Sequence, residues 1–257
     1  MEAKLREDRP APHIRRLTLD DAATRNALGL EMRAALVAAL DAAATDRDCR
    51  AVIVTGTGKV FASGSDIRML AASTPEEVVR DEIRGVWTAL AAFPKPLVMA
   101  VNGHALGGGL ELALAGDIIL AKAGVYLGNP EPRLGIMPGG GATQRLVRSL
   151  GWHRAMRILL TAEPITAETG LEWGIVAELC AEADLEARAL QMAEGIAALP
   201  PVALAEIKRA AREGAALPLN EGLALEKDAF VRVFWTADSR EGLAAFLEKR
   251  QPKFTGE

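Results

Sequence analysis

The sequence predicts an α/β protein in which buried strands alternate with amphipathic helices and the last part of the chain is helical. Two short apolar runs, at 51–55 and 97–101, are each followed by a glycine-containing turn, as is typical of buried strands. Between and around them, apolar residues recur at steps of three and four, which indicates helices. After about residue 184 the helical periodicity continues and no strand pattern follows.

The elements of the first half can be justified in order. Residues 12–20 alternate loosely between apolar and polar side chains, which predicts an early strand. Asn26 precedes apolar residues that recur at helical steps as far as Ala43, so we expect a helix to follow it. Thr74 and the proline after it begin a second helix, which we expect to run to about Ala92.

The second half begins with a very apolar, glycine-rich segment at 107–116. Short strands are predicted after it at 117–121 and 125–128. The helical tail is predicted as four helices, at 184–199 with Asp184 as its cap, from Pro201 onward, at 219–234 and at 238–249. Because the tail carries wide apolar faces, it must pack on the core or on another subunit.

The composition and charge of the chain argue against several classes of protein. The chain has 257 residues, a net charge of −4 and a pI of about 5.6, and it has no basic stripe of the kind that binds nucleic acid. No apolar run is long enough to cross a membrane or to form a signal peptide, so we expect a cytoplasmic protein. Cys49 and Cys180 are far apart and lack metal-site spacing, which argues against a disulfide framework or a zinc site.

The first segment that could take part in binding or catalysis is FASGSDIRML, at 61–70. Gly64 allows a tight turn that would leave the N–H group of Ser65 pointing at a ligand. The nearby GTGK is not a phosphate-binding loop, because its Lys59 stands too soon after the glycines and is followed by Val60. Spacing alone leaves open whether 61–70 is simply an ordinary loop between a strand and a helix.

The second segment is VNGHALGGGLELALAGD, at 101–117. Three glycines at the mouth of an apolar helix allow close approach of a ligand to N–H groups that suit a developing oxyanion. Glu111 lies among leucines, and a buried carboxylate is costly unless it is paired or functional. The residues alone do not decide between a salt-bridged structural glutamate and an acid–base residue. A lone histidine such as His104 is more often structural than catalytic.

The third segment is LGNPEPRLGIMPGGGATQRL, at 127–146. Glu131 stands between two prolines, which stiffen the loop and fix the direction of the carboxylate. The glycines at 139–141 form a further turn before Ala142 opens a helix. The simpler alternatives are a solvated loop acid and a plain turn.

These segments together resemble the enoyl-CoA hydratases of the crotonase superfamily over nearly the whole chain. The family's order and spacing are followed by ATRNAL at 23–28, FASGSDI, VNGHALGGGLEL, NPE with LGIMPGGGATQRL, and DSREGLAAFLEKRQPKF at 238–254. The resemblance implies a superhelical core of ββα units that carries the acyl-CoA site, here residues 1–190. It also implies a helical trimerisation region, here residues 191–257.

The resemblance also implies the roles of individual residues. The N–H groups of Ser65 and Gly108 would form an oxyanion hole for the thioester oxygen, and Glu111 and Glu131 would be the catalytic carboxylates. The CoA-binding residues would be Ala62, Gly64, Ser65, Asp66, Ile67, Arg68 and Gly108. Two features depart from the family pattern: Ser65 replaces a common alanine, and Pro132 follows Glu131.

The implied activity is reversible addition of water to a trans-2-enoyl-CoA, which gives a 3-hydroxyacyl-CoA. Glu111 would deprotonate water and Glu131 would deliver the proton to Cα. No metal or other cofactor is expected, since coenzyme A is part of the substrate, and the chain would assemble as a homotrimer or a dimer of trimers. The alternatives are an enoyl-CoA Δ-isomerase, another crotonase-type enzyme, and a non-catalytic or RNA-binding relative, while the acyl group and the pathway stay open.

Overall fold

A computed structural model of the chain describes residues 4–79 and 81–257, and of 81–84 only the backbone. The strands are β1 (Leu5–Ala11), β2 (Ile14–Leu19), β3 (Ala51–Gly56), β4 (Val60–Ala62), β5 (Leu97–Val101), β6 (His104–Leu106), β7 (Ile118–Lys122), β8 (Tyr126–Gly128), β9 (Ile165–Thr166) and β10 (Glu178–Cys180). The helices are α1 (Leu30–Thr45), α2 (Ile67–Ala72), α3 (Pro75–Val78), α4 (Asp81–Ala92), α5 (Gly108–Leu114), α6 (Ala142–Leu150), α7 (Trp152–Thr161), α8 (Ala167–Trp173), α9 (Leu185–Ala197), α10 (Pro201–Gly214), α11 (Leu219–Phe234) and α12 (Ala237–Glu248), with a 3-10 helix at Glu131–Leu134.

The strands form two sheets. The larger has the order β1-β2-β3-β5-β7-β10 and is parallel except for the β1–β2 pair, whereas the smaller has the order β4-β6-β8-β9. Strands β3 and β5 are buried on both faces because helices cover the larger sheet, which explains their continuous apolar runs.

The same ββα unit recurs three times. Each of β3, β5 and β7 belongs to the larger sheet and passes into a short strand of the smaller one, β4, β6 or β8, and a helical segment follows. Successive units stack in parallel register, so the superhelical core expected from the sequence is confirmed. Because β4, β6 and β8 are neighbours, the segments that follow them meet at one edge of the smaller sheet, and the candidate site lies there.

The helical tail has two parts. Helix α9 packs its alanines against β3, β5 and β7, so the expected boundary between residues 190 and 191 lies inside a helix of the core. Helices α10 to α12 instead leave large apolar side chains exposed, among them Leu219, Leu223, Phe230, Phe234, Trp235, Phe246 and Leu247. The end of the chain folds back, since Asp238 accepts hydrogen bonds from the N–H groups of Thr255 and Gly256. In the described ranges no helix is both long and apolar enough to cross a bilayer.

The helices expected after Asn26 and from Asp184 are both present, but neither of these side chains caps its helix. Helix α1 begins only at Leu30, and the buried Asn26 instead ties two loops together: its Oδ1 accepts from Asp21 N at 2.8 Å and its Nδ2 donates to Val60 O at 2.8 Å. Asp184 precedes α9 but makes no capping hydrogen bond through its side chain, because its backbone is already helical rather than extended.

The helix expected from Thr74 to Ala92 is divided. Thr74 caps it as predicted, through a reciprocal hydrogen-bonded pair with Glu77. Helix α3 nevertheless ends at Val78, and α4 starts at Asp81, with residue 80 outside the described residues. Two consecutive β-branched residues, Val78 and Val79, disfavour continuation of the helix.

Candidate active site

A cavity of about 280 Å³ opens where the segments after β4, β6 and β8 meet. Backbone from two glycine turns and both glutamates line it, together with an apolar wall. The lining residues are Arg33, Ser63, Gly64, Ser65, Ile67, Leu70, Val78, Trp87, Gly107, Gly108, Glu111, Pro130, Glu131, Leu134, Ile136, Met137, Gly139 and Gly140. The structure therefore brings together the three segments that the sequence singled out.

Two glycine turns form one side of the cavity, after β4 and after β6. Gly64 has φ of +103°, and a Cβ there would lie 2.9 Å from Leu106 O and 3.3 Å from Gly108 N. Gly107 has φ of +54°, which likewise favours glycine. These turns bring the backbone of Ser65 beside that of Gly108. Within residues 4–79 and 81–257, neither of these two N–H groups has a protein acceptor.

Glu111 lies in α5 and is only 3% exposed. Its Oε1 accepts hydrogen bonds from Gly140 N at 2.6 Å and from Ala142 N at 3.1 Å, both in the turn that leads into α6. No salt bridge to Glu111 is found among the described residues. Two backbone donors thus hold one oxygen of Glu111 in place, and such an arrangement suits a base that accepts a proton from water.

Glu131 begins the 3-10 helix directly after Pro130 and is half-buried, unlike a fully solvated loop acid. Its Oε1 lies 3.5 Å from Asn129 Nδ2, while its Oε2 is buried without a hydrogen-bond partner in the described chain. The pKa of Glu131 is raised to about 6, chiefly because the carboxyl group is buried and also because Glu111 is near. The backbone N–H of Glu131 and the Asn129 amide oppose this rise. A carboxyl group of this kind can hold a proton near neutral pH.

The two carboxylates lie against different turns that border the cavity. A Cβ on Gly107 would come 3.1 Å from Glu131 Oε1, so Glu131 stands over the glycine turn that presents Gly108 N. A Cβ on Gly140 would come 2.8 Å from Glu111 Oε2, which places Glu111 against the glycine turn at 139–141. A small group held in the cavity can therefore meet both carboxylates.

The residues expected to bind CoA divide into two groups. Gly64, Ser65, Ile67 and Gly108 line the cavity, whereas Ala62, Asp66 and Arg68 do not. Ala62 is fully buried behind the wall. Asp66 caps α2 by accepting from the N–H group of the exposed Arg68 at 2.9 Å. CoA binding by these residues stays a prediction.

Sequence reasoning missed Arg33 and Trp87. Arg33 is 2% exposed, and its guanidinium lies 5.4 Å from the centre of the Trp87 ring. The sequence held a signal for Arg33, a charged residue on the apolar face of α1. Arg33 precedes Leu36 by three residues and Leu40 by seven, which is the spacing of one helix face. His104 takes a structural place, since its Nδ1 accepts from Tyr126 N at 3.0 Å.

Comparison with known proteins identifies the family. The family model for enoyl-CoA hydratase/isomerase matches residues 11–257. The 2,3-dehydroadipyl-CoA hydratase of Escherichia coli K12 is 41% identical over 240 residues, which cover 93% of this chain and 94% of that protein. The crystal structure of an enoyl-CoA hydratase from Bacillus anthracis superposes with a TM-score of 0.95 at 36% identity and covers 99% of this chain and 100% of that one. The chain is therefore an enzyme that belongs to the enoyl-CoA hydratase/isomerase family.

Proposed function

We propose that this enzyme adds water reversibly to a trans-2-enoyl-CoA and so forms a 3-hydroxyacyl-CoA. The observation that carries the proposal is the pairing, in one cavity, of Glu111 held by backbone donors with Glu131 whose pKa is raised to about 6. The names of relatives support it, since several are hydratases that act on enoyl-CoA or 2,3-dehydroadipyl-CoA.

The first requirement of the reaction is polarisation of the thioester carbonyl. In our proposal its oxygen lies between Ser65 N and Gly108 N, which have no protein acceptor in the described chain. Addition at Cβ moves negative charge onto this oxygen. Two N–H groups that are already oriented stabilise that charge, and each such donor is typically worth about a hundred- to a thousandfold in rate.

The second requirement is the addition of a water oxygen at Cβ and of a proton at Cα. Glu111 accepts a proton from water as the water oxygen attacks Cβ, and protonated Glu131 gives a proton to Cα. Glu111 ends protonated and Glu131 ionised, so one proton must pass back through solvent before the next turnover. In the dehydration direction the roles reverse, because the same groups must serve both directions.

We further propose that coenzyme A enters only as part of the substrate and that no other cofactor takes part. The exposed apolar side chains of α10 to α12 support assembly as a homotrimer or a dimer of trimers. Light scattering on the purified chain tests the assembly, and a monodisperse monomer at micromolar concentration would refute it.

The reaction itself is tested with crotonyl-CoA. We expect rapid loss of the absorbance of the conjugated thioester, with 3-hydroxybutyryl-CoA as the product. The isomerase alternative needs only one carboxylate to move a proton between two carbons. It would be favoured by an enzyme that leaves crotonyl-CoA unchanged but converts a 3-enoyl-CoA to the conjugated isomer.

A further inference from the structure

We propose that the hydroxyl of Ser65 is a third hydrogen-bond donor to the thioester oxygen and that buried Arg33 orients it. This inference rests on the proposed function, because it assigns an additional donor to the same oxyanion hole. Ser65 would then donate to the thioester oxygen through both its hydroxyl and its N–H group. Arg33 would be a positioning residue.

The hydroxyl lies beside the two N–H groups of the proposed oxyanion hole. A Cβ built on Gly108 would lie 3.3 Å from Ser65 N and 3.4 Å from Ser65 Oγ, so both atoms of Ser65 border the space beside Gly108. Both residues line the cavity. The hydroxyl therefore reaches the region in which the two N–H groups would hold the carbonyl oxygen.

Arg33 sets the direction in which the hydroxyl can donate. Its Nη2 donates to Ser65 Oγ at 2.8 Å. A hydroxyl has one hydrogen to donate and two lone pairs to accept, so acceptance from a cation leaves its hydrogen available and makes it a stronger donor. Among the described residues the Ser65 hydroxyl donates to no protein acceptor.

The guanidinium is itself held in place. Its Nε donates to Leu28 O at 2.8 Å, and its central carbon lies 5.4 Å from the centre of the Trp87 ring. Trp87 is in turn fixed against Gly140, where a Cβ would come 2.6 Å from the indole ring. One chain of contacts thus runs from the turn that holds Glu111, through Trp87 and Arg33, to Ser65.

Ser65→Ala tests the donor directly, because it removes the hydroxyl and keeps the N–H group. We expect kcat to fall about tenfold, less than for loss of a principal oxyanion donor, since two N–H groups remain. Binding of a cinnamoyl-CoA with a para-amino group gives a second readout, because its absorbance moves to longer wavelength as the carbonyl is polarised. We expect a smaller displacement in Ser65→Ala than in the wild type.

Arg33→Met tests the positioning role through the same two measurements. If Arg33 acts through the hydroxyl, the double variant Arg33→Met/Ser65→Ala loses no more polarisation than Ser65→Ala alone. The matched control is Ser73→Ala, whose hydroxyl donates to Met69 O outside the cavity and whose loss should leave kcat and the absorbance unchanged. Ser65→Ala preserves the contact of Arg33 with Leu28, so the test survives if Arg33→Met does not fold.

The outcomes separate this inference from the proposed function. An unchanged kcat and absorbance in Ser65→Ala would overturn the inference, as would a lower kcat with unchanged absorbance. A double variant that loses the product of the two single effects would overturn the action of Arg33 through Ser65. A wild type that polarises the probe but does not hydrate crotonyl-CoA would refute the hydratase proposal alone.

Discussion

The surroundings of the two carboxylates in the cavity differ in the hydrogen-bond donors that they provide. The turn at 139–141 points the N–H group of Gly140 at Glu111, and Ala142 N follows at 3.1 Å. The segment that starts at Pro130 gives Glu131 only a long contact with Asn129 and leaves Glu131 Oε2 buried without a partner in the described chain.

This difference shows how one residue type can serve two chemical roles. Donated hydrogen bonds favour the ionised form of a carboxylate, and burial without donors favours the protonated form. The proposed base is the carboxylate with donors, and the proposed acid is the one whose pKa is raised to about 6. The charge of nearby Glu111 contributes to the raised pKa of Glu131, after the larger effect of burial.

The largest effect is expected from loss of either carboxylate. Glu111→Gln and Glu131→Gln should each lower kcat for hydration of crotonyl-CoA by about a hundred- to ten-thousandfold, because each removes a group that transfers a proton. The dissociation constant of a saturated acyl-CoA should change little and serves as the control. Either variant with near wild-type kcat would contradict the two-carboxylate mechanism.

An intermediate effect is expected from crowding of the turn that holds Glu111. A Cβ in Gly140→Ala would lie 2.8 Å from Glu111 Oε2 and 2.6 Å from Trp87, so the carboxylate and the indole must move. A displacement of this size should lower kcat about ten- to a hundredfold. Gly195→Ala is the matched control, since a Cβ there meets open space in α9 and should leave kcat unchanged.

The smallest effect concerns stability and pH. The pKa of Glu131 is raised from 4.5 to about 6, so its stabilising contribution is complete below about 4.5 and is lost as pH rises through about 6. This difference corresponds to about 2 kcal/mol, since one pKa unit is about 1.4 kcal/mol. Glu131→Gln should therefore be more stable than the wild type by about 1 to 2 kcal/mol at pH 8, and no more stable at pH 4.

Urea unfolding of both proteins at the two pH values measures that difference. Glu163→Gln is a suitable control, because Glu163 is exposed and lies outside the cavity. Equal free energies of unfolding for Glu131→Gln and the wild type at pH 8 would show that ionisation of Glu131 does not destabilise the folded protein.

The sequence was most informative where one local feature decides the structure. Strands β3 and β5 could be predicted because both faces are buried and the apolar runs are continuous. Strand β1 was not predicted, since its charged residues lie at the sheet edge and leave no alternation to detect. The short strands β4, β6 and β9 have only two or three residues, too few for any periodicity.

The candidate site was predictable in its motifs but not in its contacts. The three segments with Ser65, Gly108, Glu111 and Glu131 were identified, and the structure gathers these residues around one cavity. The partners that set their chemistry lie elsewhere in the chain. Arg33 is 32 residues before Ser65 in the sequence, and Gly140 is 29 residues after Glu111. A local sequence pattern cannot predict contacts between residues so far apart in the chain.

Exchange of the α-protons of butyryl-CoA in D₂O tests the division of labour most directly. This saturated thioester can lose and regain an α-proton but cannot add water, so exchange requires only the group that serves Cα and the oxyanion hole. This division of labour predicts that Glu111→Gln still exchanges the α-proton, as followed by proton NMR, while Glu131→Gln does not. Exchange retained in Glu131→Gln, or lost in Glu111→Gln, would contradict it.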